Sequence, residues 1–153
     1  MITWSEQYEI GIPVIDGQHQ RIVGYINQVE ELKDNPNNQS ELAEVLAMLV
    51  DYTWSHFEFE EALMEESSYP DLAEHQVTHH AFKNQIEALY RRFKSGENVA
   101  PLLADILLNW LLEHIQEDDA SYCDCVKKNI LGRQDKHNES WIQQATAKYF
   151  GLS

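Results

Sequence analysis

Two pairs of residues in this chain stand at spacings that a metal ion can use. His56 and Glu60 are four apart, as are His75 and His79, and Pro70 marks a turn between the pairs. On a helix, residues at i and i+4 lie on one face, one turn above the other. Two antiparallel helices joined near Tyr69 and Pro70 would therefore bring three imidazoles and a carboxylate to one place inside the molecule. Donors converging from facing helices are how helix bundles hold metal. Further on, His114 is followed four and five residues later by Asp118 and Asp119. Helical geometry favours Asp118, because Asp119 falls roughly 140° round from His114. Asp119 reaches the same point only from the side, or if the helix is locally overwound or bulged.

The elements that must position these groups follow from hydrophobic spacing. Residues 1 to about 16 read as an irregular arm, with Gly11 and Pro13 breaking any helical period and Ile10, Ile12, Val14 and Ile15 available for docking. From about 17 to 33, Ile22, Val23, Ile26 and Val29 recur at three and four, and His19 extends their stripe. Asn38 and Glu41 have capping-box spacing for a second helix over about 40–66, whose inward face runs Leu42, Val45, Leu46, Leu49, Thr53, His56, Glu60 and Leu63. Glu58 and Glu61 point elsewhere, about 200° and 140° from His56. Pro70 suits the first turn of a third helix over about 70–94, with Leu72, His75, His79, Phe82, Ile86, Leu89 and Phe93 on one stripe and His80 outside it. A fourth helix over about 99–130 aligns Leu103, Leu107, Trp110 and His114, and Gly132 stops it.

Four long helices with short turns predict an all-α, up-down-up-down four-helix bundle over residues 1–131. Residues 132–153 form an extension in which Trp141, Ile142, Ala145, Tyr149 and Phe150 suggest a short extra helix, lying on the bundle or on a protein partner.

Composition narrows the function. Eleven Lys and Arg against 26 Asp and Glu give a formal charge of −15, which would repel nucleic acid and anionic lipid. No apolar run is long enough for a membrane span, and the N-terminus lacks the pattern of a secretory signal, so a cytoplasmic monomer is expected. The two Cys, Cys123 and Cys125, are two apart on an expected helix and cannot pair there, in keeping with a reducing compartment.

Five of the seven histidines thus face inward: His19, His56, His75, His79 and His114. Each buried imidazole left without a partner costs on the order of 1–3 kcal/mol, and a shared cation satisfies them together. Five nitrogens exceed one ordinary site, and carboxylates can bridge two ions.

The patterns I-D-x-Q-H at Ile15 to His19, H-F-x-x-E-E at His56 to Glu61, Y-P followed by H-x-x-x-H from Tyr69 to His79, and W-L-x-x-H-I-x-x-x-D-x-x-Y from Trp110 to Tyr122 closely resemble the bacterial hemerythrins. The resemblance covers about residues 2 to 131. It implies that His75, His79 and His114 bind one iron and His19 and His56 the other, with Glu60 and Asp119 bridging both, so that Asp119 displaces Asp118. Two octahedral ions offer about twelve positions. Five imidazoles, two bridging carboxylates and one bridging oxo or hydroxo group leave one open, on the iron with two His. Such a centre is expected to bind dioxygen reversibly, for storage, delivery or sensing, with at most weak peroxidase or oxidase side activity. Ile22, Phe57 and Trp110 are expected to line the oxygen pocket, and Asp16 and Tyr122 to hydrogen-bond the ligands. A di-iron enzyme acting on peroxide, nitric oxide or ferrous iron is the alternative. Bundle di-iron enzymes use four Glu and two His, a more anionic set, so carriage is favoured here.

Overall fold

A computed structural model describes residues 3–33, 39–114 and 136–150, in backbone alone up to residue 142 of the last stretch. Five α-helices follow one another: α1 Pro13–Leu32, α2 Gln39–Glu66, α3 Leu72–Lys94, α4 Ala100–Glu113 and α5 Lys136–Phe150. Helices α1 to α4 each pack on their sequence neighbours, and α4 closes on α1, which makes the expected four-helix bundle with an extra C-terminal helix. Among the described residues, no helix is long and apolar enough to cross a membrane.

The first helix begins earlier than the hydrophobic period suggests. Pro13 occupies its first turn, where a missing N–H costs nothing. The Asp16 carboxylate then accepts from the backbone N–H of Ile10 at 2.8 Å and of Gly11 at 3.2 Å. Gly11 itself sits at φ 88°, a conformation open to glycine. Asp16 thus fastens the arm to α1, and its contacts are with this backbone and not with the imidazoles, contrary to the expectation above. The capping box at Asn38 lies outside the described residues.

The turn between α2 and α3 sets the spacing of the metal-type pairs. Ser68, at φ 59°, is left-handed, and Tyr69 N–H reaches back to the Met64 carbonyl at 2.9 Å. That six-to-one closure is a Schellman end, usually built on glycine. It carries the chain through Tyr69 and Pro70 before α3 can start at Leu72, so Pro70 belongs to the turn and not to the helix.

Two cores result. The larger runs through the bundle, with Ile22, Ile26, Leu46, Leu49, Ile86, Leu103 and Leu107 among its buried members. The smaller gathers Ile12 and Ile15 beside the arm, Phe59, Leu63 and Met64 from α2, and Ala145 from α5. Phe150 adds aromatic contacts with Tyr52 at 4.8 Å and Phe59 at 6.0 Å. Of the two expected seats for the extra helix, the bundle is the one observed; the side chains of Trp141 and Ile142 lie outside the described residues.

Fully burying one large apolar side chain stabilises a fold by about 1.5–3 kcal/mol. Deleting residues 136–153 uncovers several at once, so a loss of roughly 3 kcal/mol and a midpoint lower by roughly 5–10 °C are expected. Thermal unfolding of the metal-free chain measures this, and an unchanged midpoint would show that α5 contributes no docking energy.

Candidate metal centre

Each helix of the bundle sends one or two polar side chains to the same buried place: His19 from α1, His56 and Glu60 from α2, His75 and His79 from α3, and His114 at the end of α4. All are less than a tenth exposed, and Glu60 is fully buried. The i, i+4 pairs do what their spacing requires, aiming both members of each pair across the bundle axis.

Glu60 is the hub. Its Oε1 lies 3.0 Å from His75 Nε2, 3.0 Å from His114 Nε2 and 3.1 Å from His79 Nε2, and its Oε2 lies 3.2 Å from His56 Nε2. His19 Nε2 is 3.1 Å from His56 Nε2. Three imidazole nitrogens crowd one carboxylate oxygen, which has about two lone pairs to offer. His79 Nε2 is near enough to Glu60 but poorly aligned for a hydrogen bond.

A cation resolves that crowding. Two groups of ligand atoms can each hold an ion: His19, His56, Glu60 and His114, and Glu60, His75, His79 and His114, with all atoms of a group within 4.8 Å of one another. An ion with bonds of about 2.1 Å spans about 4.2 Å between opposite ligands, so small inward movements suffice. The residues therefore fit a metal pair, with Glu60 common to both groups. His114 also falls within reach of both, whereas the expectation assigns it to the group of His75 and His79.

The electrostatics agree. Burial alone would raise the Glu60 carboxyl, but the imidazoles of His114, His56 and His75 outweigh it and hold the group well below its usual range. Burial would lower His79, but the carboxylates of Glu60 and Glu61 outweigh that and raise it.

Aromatic rings wall the cluster. Phe57 stacks on His79 at 4.1 Å and 10°, and Trp110 lies between Phe82 at 4.0 Å and His114 at 4.4 Å. Ile22 is buried in the larger core one turn along α1 from His19. Outside this wall, a groove of about 680 Å³ runs between α2 and α3, touching Trp54, Phe57, His79 and Lys83.

Two neighbours were missed or misplaced in the sequence, Gln18 and Glu61, and a third, Phe82, was placed on the stripe without its contact. Gln18 Oε1 lies 2.7 Å from His56 Nδ1. Its position, three after Ile15 and four before Ile22, already places it on the buried stripe. Glu61, expected to point away, rests its Oε1 3.5 Å from His79 Nδ1, because α3 packs on that flank of α2. Phe82 belongs to the stripe of His75 and His79 and stacks on Trp110. Asp119 and Tyr122 lie outside the described residues.

Comparison with known proteins follows the same lines. Residues 10–124 match the hemerythrin family, described as the Hemerythrin HHE cation binding domain. The chain is 37% identical over 151 residues to a bacteriohemerythrin of Pseudomonas aeruginosa (strain LESB58), covering 98% of each. It is 36% identical over 152 residues to one of Stenotrophomonas maltophilia (strain R551-3), covering 99% of each. A crystal structure of wild-type hemerythrin superposes with a TM-score of 0.77 at 27% identity, over 82% of this chain and 98% of that one.

Proposed function

The chain belongs to the hemerythrin family, and on that footing we propose that it binds dioxygen reversibly at a pair of irons, as a carrier, store or sensor and not as an enzyme. The observation that carries this reading is the pair of buried ligand groups joined through Glu60. Two ferrous ions held there supply the two electrons that dioxygen takes up on binding.

This chain's residues do the rest. His75, His79 and His114 hold one ion and His19 and His56 the other, with Glu60 across both. The hemerythrin pattern, in which Asp119 ends the W-L-x-x-H-I-x-x-x-D run, supports Asp119 as the second bridging carboxylate. On six-fold geometry the ion held by the smaller His group would be the one with a position to spare, once the bridging groups are counted. Phe57 and Trp110, stacked on His79 and His114, exclude water from that side. Glu60, the one carboxylate with full burial at the described centre, would be a metal ligand there and not a proton donor.

Stopped-flow mixing of the reduced, iron-loaded protein with oxygen tests the proposal. A long-lived absorption band that disappears on deoxygenation is expected. Immediate conversion to the oxidised form, or turnover with peroxide or nitric oxide, would favour a di-iron enzyme.

A further inference from the structure

Gln18 is 5% exposed and precedes His19 on α1, and its Oε1 lies 2.7 Å from His56 Nδ1. This contact is shorter than any that an imidazole nitrogen makes to Glu60. A carbonyl oxygen can only accept, so His56 donates from Nδ1, and in the neutral ring the lone pair then sits on Nε2. That nitrogen faces Glu60 Oε2 and His19 Nε2, inside the first ligand group. An amide turned end for end would donate to Nδ1 and leave a proton on Nε2, aimed at the cation.

We infer that Gln18 is a positioning residue for the metal centre: its amide carbonyl holds His56 in the one tautomer that can ligate, without lending the negative charge of a carboxylate. The inference rests on the metal-binding reading of the cluster. It also separates the two ions. His79, in the other group, has a carboxylate oxygen of Glu61 at 3.5 Å from its Nδ1, an electrostatic contact and not a hydrogen bond. A carboxylate behind a ligating imidazole makes it more basic and steadies the higher oxidation state; a neutral amide orients the ring with less of that effect. The ion beside His19 and His56, where the open position is proposed, is therefore biased toward the ferrous state that reversible binding needs.

Two substitutions in the full chain test this, Gln18→Glu and Gln18→Leu. In the metal-free protein, at a pH high enough that His56 is neutral, long-range proton–nitrogen correlation spectra read the His56 tautomer. The proton is expected on Nδ1 in the wild type, with that preference lost in Q18L. A wild-type His56 protonated on Nε2, or a Q18L spectrum unchanged at His56, overturns the inference. In the iron-loaded protein, Q18L is expected to retain metal about 10–100-fold less tightly. Q18E is expected to keep its metal but show a lower midpoint potential and an oxygenated form that decays on the order of tenfold faster. Equal potentials in Q18E and the wild type overturn the charge-withholding half of the inference. If Q18L does not fold, Q18E and the wild type still decide both halves. If the wild type fails to assemble an iron pair, the proposed function falls, while the tautomer measurement still decides whether Gln18 positions His56.

Discussion

Replacing Glu60 with alanine is expected to abolish stable assembly of the metal pair, leaving less than one iron per chain after purification from iron-replete cells. Four imidazoles approach this carboxylate within 3.2 Å, and it is the one described ligand besides His114 that belongs to both groups. Its loss removes a donor from each ion and the negative charge that offsets them. The metal-free fold suffers too. Removing one partner from a buried charged network typically costs about 3–5 kcal/mol, because the remaining groups stay buried without their counter-charge. Glu60→Gln preserves volume while removing charge, so it should rescue part of the stability and none of the metal stoichiometry. Metal analysis with thermal unfolding separates the two effects. Retention of two irons by either variant would remove Glu60 from the bridge.

Phe57→Ala carries the second large expected effect. Phe57 is 4% exposed, stacks on His79, meets Trp110 edge-on at 5.0 Å, and also borders the groove between α2 and α3. It stands with His79 between that groove and the deeper ligands. Cutting it to alanine costs about 3–5 kcal/mol through lost burial and the cavity left behind. The cavity would also open toward the groove, which already touches His79, and water could then pass to the ligands behind it. The oxygenated form should decay on the order of tenfold faster, the change produced by about 1.4 kcal/mol in barrier height. Phe57→Leu, which refills most of the space, should recover most of both losses. A normal oxygenated lifetime in Phe57→Ala, measured by absorption, would assign the seal to other residues.

Much of this architecture was legible because helical periodicity and chemistry coincided. The stripes of α2 and α3 run without a break from aliphatic residues into His56, Glu60, His75 and His79, so one pattern located both the core and the ligands. The beginnings of helices were harder. The start of α1 depends on Pro13 and on Asp16 reaching back to Ile10 and Gly11, neither of which leaves a trace in hydrophobic spacing. The start of α3 was displaced by a left-handed Ser68, a role that residue type alone does not announce. Gln18 was passed over because it is polar, although its spacing to Ile15 and Ile22 fits the buried face. Glu61 was placed by angle around its own helix, and angle does not say where the neighbouring helix lies. For Asp118 and Asp119 regular helical geometry and the family pattern point to different residues, and both lie outside the described residues.

Because Glu60 belongs to both ligand groups and His114 lies within reach of both, the two ions of the proposed pair would be thermodynamically linked. Seating the first draws Glu60 and His114 into place, so the second meets a prepared surface at lower conformational cost. With iron in short supply, chains should therefore divide into fully loaded and metal-free molecules, with singly loaded ones scarce. The population would then report cellular iron as a fraction of competent carriers, not as a graded change in each one.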